Sequence, residues 1–229
     1  MITVLQNFIC TKKSRLSLVK SELPTMGAVL KDYDFHVNYG TDIHMTEIKE
    51  IYETNIHKLN LYNNLEPDWG AVTLAMANNI TTPYTLIICE DYKYCMDYHY
   101  FQSIIEEVVS NNVQYMPIGR LWKYASQQKY WEDYISGKEL WFYPATKSPG
   151  SSLSVDALYK TEILVEKLSE LQQYTSGRFP LNLPHHYEDI FHEYKNNGVK
   201  KLGEDALCAI PKKEILKHIQ EETETLLNK

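Results

Sequence analysis

The run TTPYTLIICEDY, residues 81–92, holds an unbroken apolar stretch, Leu86-Ile87-Ile88, that stops abruptly at Cys89-Glu90-Asp91. A short β-branched run bounded by turn residues has the pattern of a strand buried on both faces, as at the centre of a parallel sheet. In open parallel sheets ligands gather outside the carboxyl ends of the strands, so two acids there either begin a solvated loop or face a cleft. The dipeptide alone decides nothing, because adjacent acidic pairs also begin at 106, 132, 188, 204 and 221. Its place in the fold has to decide.

Working outward, ITVLQNFI (2–9) reads as a strand and KKSRLSLVKSEL (12–23) as a helix closed by Pro24. YDFHVNYG (33–40) alternates as a strand ending on Gly40, residues 45–52 form a helix, and HKLNLY (57–62) is a short strand. A loop over 63–68 leads into the amphipathic helix WGAVTLAMANNI (69–80). Beyond the acidic turn, FQSIIEEVVSNN (101–112) is helical and VQYMPIG (113–119) is a strand. Strands alternating with helices at this spacing predict βαβ units and a mainly parallel sheet.

The second half is less regular. An aromatic stretch surrounds Trp131 and Trp141, KSPGSS (147–152) is a loop, and SVDALYK (154–160) is a short strand entering the helix TEILVEKLSELQQY (161–174). LPHHYEDIFHEYKNNG (183–198) reads as a helix opened by Pro184 and ended by Gly198, DALCAI (205–210) as a strand, and a closing helix follows Pro211. No internal repeat interrupts the pattern. One α/β domain over 1–229, with a carboxyl-terminal helical elaboration, is expected.

Composition narrows the partners. With 229 residues of which 44% are hydrophobic, the chain fills one large core. A formal net charge of −7 with no basic block argues against a nucleic-acid partner. Eighteen tyrosines suit polar clefts as well as strands, because each joins a ring to a hydroxyl. The first apolar stretch is short and lacks a basic leader, and no run of about 18 apolar residues follows, so a cytoplasmic chain without a transmembrane segment is expected. The cysteines at 10, 89, 95 and 208 make no zinc pattern and read as free thiols of a reducing compartment.

Two close carboxylates repel unless a cation or proton compensates, and hard oxygen ligands suit magnesium or manganese. Such an ion typically bridges to substrate phosphates. With that chemistry in view, the order of elements over the first 120 residues resembles the nucleotide-binding half of a GT-A-fold glycosyltransferase, most like family 2. The second strand ends HVNYGTD, with Asn38, Tyr39, Gly40, Thr41 and Asp42 in the turn; the helix DWGAVTLAMANN follows; and CEDY (89–92) occupies the place of the acidic DxD motif. Asn38-Tyr39 stand where two acids are common, and Tyr92 where a third acid would complete the motif.

The resemblance implies a Rossmann-like, mixed but mainly parallel sheet flanked by helices, with 1–120 as the nucleotide-binding half and 121–229 as the acceptor-binding half. It implies an enzyme moving a sugar from a nucleotide-diphosphate donor to a glycan or other hydroxyl acceptor, with inversion at the anomeric carbon the expected course. Thr11, Asn38, Tyr39, Asp42, Asp68 and Glu90 are the implied nucleotide contacts. Asp91 is the main metal ligand, with Glu90 a weaker candidate.

The second acidic constellation is PHHYEDIFH (184–192). In the resembling family a later acid at a helix start deprotonates the acceptor hydroxyl, and Glu188 or Asp189 stands in a comparable position. His185 or His186 completes the metal shell in this reading, since neutral imidazole suits manganese. The ordinary alternative is that these acids offset a helix dipole at the surface. Arg120, Lys123 and Lys147 are basic residues within reach of a diphosphate, or plain surface charge. Two other classes stay open: a sugar nucleotidyltransferase, against which ITVLQNFICTKKSRL lacks a glycine-rich phosphate loop, and a non-catalytic carbohydrate- or protein-binding module on the same fold.

Overall fold

The computed structural model describes residues 2–10, 12–41, 43–66, 68–90, 92–118, 134–148, 153–175 and 198–218. At the centre is strand β1 (Ile2–Asn7), buried at every position. It pairs in parallel with β2 (Asp34–Asn38) on one side and with β4 (Tyr84–Ile87) on the other, while β3 (Leu59–Tyr62) extends the sheet beyond β2. A parallel block of order β3-β2-β1-β4 results, and its carboxyl ends share one edge.

Beyond β4 the direction changes. Strand β9 (Ala157–Lys160) runs antiparallel between β4 and β6 (Tyr115–Pro117), and β10 (Leu207–Pro211) lies parallel to β6. A hairpin of β7 (Ile135–Ser136) and β8 (Leu140–Pro144) closes the nine-stranded sheet. The sheet is therefore mixed and mainly parallel, and strands from both halves of the chain build it.

Helices cover both faces. On one lie α1 (Lys13–Val29), α2 (Met45–Asn55) and α4 (Tyr98–Ser110), over a cluster that includes Val4, Phe35, Val37 and Leu86. On the other, α3 (Trp69–Ala77) packs with α5 (Thr161–Thr175) over Leu5, Ile87, Tyr115 and Tyr159. Alternation along β1 makes this possible: Gln6 turns to the α2 side, where its Oε1 accepts from Tyr52 Oη at 2.8 Å. Asn7 turns to the α3 side and donates to Thr73 Oγ1 at 2.8 Å. These two buried polar side chains are thereby hydrogen-bonded, as is Thr3, which accepts from Thr82 Oγ1 at 2.8 Å.

Several elements differ from the sequence reading. Pro24 does not close α1; the helix runs on to Val29. Leu16, Val19, Leu23, Met26 and Val29 are buried on one side, and burial of each such side chain contributes about 1.5–3 kcal/mol. Together these exceed the roughly 3 kcal/mol that an interior proline costs. Pro24 itself is exposed, as is Lys20, whose carbonyl loses its usual helical partner. After Pro211, the chain enters strand β11 (Leu216–His218) rather than a helix over these residues, and pairs antiparallel with β5 (Tyr92–Tyr94), also unforeseen. The proposed helix over 183–198 lies outside the described residues but for its last position.

Candidate functional site

The carboxyl edge of the parallel block is built from interlocked loops. Asn38, at the end of β2, donates to Asn7 Oδ1 at 2.9 Å and to the Asn64 carbonyl at 3.1 Å, and accepts from the Asn64 amide at 2.7 Å. Asn63 grips the next loop: its Oδ1 accepts from the Thr41 amide at 2.9 Å and its Nδ2 donates to the Thr41 carbonyl at 3.0 Å. Thr41 Oγ1 in turn accepts from the amides of Ile43 and His44, tying the loop to the start of α2. Gly40 lets the loops approach closely here, since a Cβ would meet the Asn64 carbonyl oxygen at 3.0 Å. These bonds fix the loops after β1, β2 and β3 against one another before any ligand arrives.

The described residues among the expected nucleotide contacts have differing duties. Asn38 is buried and committed to the interlock, and Tyr39 is buried in the core. Asp68 caps α3, its Oδ1 accepting from the Ala71 amide at 2.9 Å. Trp69 lies buried beneath β1 with its indole N–H on the Asn7 carbonyl at 2.9 Å, which is packing rather than a stacking platform. Thr11 and Asp42 lie outside the described residues. What sequence reasoning missed is the apolar rim: Ile9, Ile43, Met45 and Leu65, all exposed, follow β1, precede or open α2, and follow β3. Exposed apolar side chains on successive loop tips were readable as isolated residues, but not as neighbours of one edge.

At the end of β4, the Cys89 amide donates to Asp156 Oδ1 at 2.9 Å, and Asp156 is itself buried at the start of β9. Glu90 is buried, with 5% of its side chain exposed, and forms an ion pair with Arg15 from the first turn of α1. Neither Arg15 nor Asp156 was singled out in the sequence, since both come to the turn from distant segments. The negative charge of Glu90 is felt nearby. Burial pushes the Cys10 thiol above its usual range and Glu90 adds to this, while Arg15 opposes it. Burial likewise holds the Tyr52 phenol well above its usual value, with Glu90 and Cys10 adding to it. Gln6, Glu22, Tyr52, Glu90 and Tyr94 line a small cavity under the turn.

Asp91, His185, His186, Glu188 and Asp189 lie outside the described residues, as do Arg120 and Lys123. Among the described residues no group of three or more His, Cys, Asp or Glu is arranged to hold a metal ion. No helix among them is long and apolar enough to cross a membrane.

No protein-family model matches this chain, and no curated protein matches it in sequence. Solved structures do. The crystal structure of S. aureus TarS 1-349 superposes with a TM-score of 0.61 at 12% identity, covering 96% of this chain and 61% of that one. The same TarS segment in complex with UDP-GlcNAc gives a TM-score of 0.54 at 12% identity, covering 96% and 60%. A cytidylyltransferase from Leptospira borgpetersenii serovar Hardjo-bovis gives 0.50 at 12% identity, covering 98% and 84%. The likeness is one of fold: a GT-A glycosyltransferase-like sheet with flanking helices. The chain spans about three-fifths of the TarS segment.

Proposed function

We propose that this chain is a nucleotide-sugar-dependent glycosyltransferase. The observation that carries the reading is the acidic turn at the carboxyl end of β4, beside the interlocked loops after β1, β2 and β3, in a fold shared with TarS. TarS has been solved with UDP-GlcNAc and with UDP, which supports a nucleotide-sugar donor at this edge here as well. Thr11, Asp42 and Asp68 are the nucleotide contacts of the proposal, with the rim of Ile9, Met45 and Leu65 flanking the base. Residues 1–120 form the donor half and 121–229 the acceptor half.

A divalent cation, manganese or magnesium, fits the donor set of Asp91 with His185 or His186 and would neutralise charge on the leaving nucleoside diphosphate. Glu90, turned inward to Arg15, does not fit that set as an open ligand. Glu188 or Asp189 takes the proton of the acceptor hydroxyl as its oxygen bonds to the anomeric carbon. The bond from that carbon to the diphosphate oxygen breaks, and an inverted product results.

A thermal-shift screen tests the reading, because a ligand that binds only the folded state raises the melting temperature by mass action. Uridine, guanosine and thymidine diphosphate sugars are compared with and without manganese. At least one donor is expected to raise the melting temperature, and D91A is expected to abolish turnover while the chain stays folded. No shift with any of them removes the proposal. The cytidylyltransferase likeness supports a second reading, a sugar nucleotidyltransferase. A shift with CTP alone, and pyrophosphate release from it with a sugar phosphate, would select that reading instead.

A further inference from the structure

Resting on the reading above, we propose that Arg15 and Glu90 form a clamp that positions the acidic turn, Glu90 being a positioning residue held by Arg15 and not a metal ligand. Glu90 lines a small, half-open pocket with Gln6, Glu22, Tyr52 and Tyr94, and only 5% of its side chain is exposed. A metal ligand shared with a diphosphate has to present an oxygen to the donor side, and a carboxylate buried and paired with Arg15 does not.

The counter-charge is already present in the chain. Arg15 lies in the first turn of α1, next to the buried Leu16, so a packed helix carries the guanidinium to Glu90. A guanidinium stays charged at any working pH, so it compensates the buried carboxylate whether or not a cation is bound. On the other flank, buried Asp156 accepts from the Cys89 amide at 2.9 Å. The two residues that precede Asp91 are thus held independently, residue 89 by its backbone and residue 90 by its side chain. Holding a ligand from behind in this way is how groups next to a metal site set its affinity.

The test compares R15K, R15M, E90Q and R15M/E90Q with the wild type, using urea unfolding and a titration of manganese alone followed by electron paramagnetic resonance of the free ion. Glutamine keeps an oxygen for Arg15, so E90Q is expected to hold the manganese dissociation constant within about threefold, whereas R15M weakens it about tenfold or more and R15K recovers most of the loss. In urea, R15M leaves a buried carboxylate without its counter-charge, and adding E90Q to it is expected to restore stability. A tenfold or greater loss in E90Q with R15M silent, on the order expected for deleting a ligand, makes Glu90 a metal ligand and overturns the proposal. Additive losses in urea overturn it as well. If the wild type takes up no manganese, metal-dependent transfer falls, and the clamp is decided by the urea cycle alone: relief by the second substitution keeps it, additivity removes it.

Discussion

Asn38 shows how a residue's type suggests one duty and its neighbours assign another. As a polar residue ending a strand at the donor edge it reads as a ligand contact, yet its amide makes three hydrogen bonds inside the protein, to Asn7 and Asn64. Those partners lie on other strands and loops, and spacing along the chain carries no trace of them. N38A leaves the Asn64 amide and Asn7 Oδ1 without this partner in a buried setting, so a loss of about 1–3 kcal/mol is expected in urea unfolding. Asp68 separates two duties within one side chain. As the cap of α3 it is replaceable by asparagine, a comparably good capping residue, so D68N is expected to keep the stability of the wild type while D68A loses about 1 kcal/mol. If the carboxylate also receives ribose hydroxyls, D68N weakens donor binding despite its intact stability; equal donor affinity in the two proteins confines Asp68 to the cap.

Helix α1 makes the same point for an element. Its exposed Pro24 breaks a local rule at a place where the buried face outweighs the cost, so P24A is expected to stabilise the protein by about 1–2 kcal/mol, less than the full proline penalty because alanine gains freedom in the unfolded chain. Gly27 behaves in the opposite sense. A Cβ there collides with the Asn55 carbonyl at the end of α2, and G27A is expected to lower the melting temperature although alanine favours a helix by about 1 kcal/mol. Most of the elements were readable because their periodicity is local: the strands around Val4, Val37 and Leu86 and the helices between them announce themselves over a few residues. Strands β5 and β11 were not, since three residues show no period and their pairing joins Tyr94 to Leu216. Nor does periodicity carry direction, so the antiparallel course of β9 inside the sheet was invisible in SVDALYK. The candidate site followed suit: the acidic strand end was legible, and Arg15 and Asp156, brought to it by folding, were not.

Across the whole molecule, the tyrosines set the response to alkali. The chain has 18, and burial holds the phenols of Tyr52, Tyr94 and Tyr143 well above the ordinary value of 10. These groups sit on both faces of the sheet, Tyr52 and Tyr94 with the α1 side and Tyr143 with the α3 side. Folded, they keep their protons as pH rises past 10; unfolded, they release them. The native state then binds more protons than the unfolded one, and stability falls with rising pH by up to about 1.4 kcal/mol per pH unit for each such group. The window opens at the unfolded value near 10 and extends upward. Lys167 adds to the same limb. Burial alone would lower it, but hydrogen bonds to Glu166 and Glu170 at 2.7 Å raise it, so its contribution is complete below its unfolded value and is lost as pH climbs through the raised one. Following phenolate absorbance together with far-ultraviolet circular dichroism checks this. One class of tyrosines is expected to ionise smoothly in the folded protein, and a second only in step with loss of the helical signal. Y94F is expected to make the decline in stability above pH 10 shallower without altering stability's dependence on pH below it. If all phenols ionise near pH 10 while the helical signal persists, both sides of the sheet are open to solvent in a way that this packing forbids.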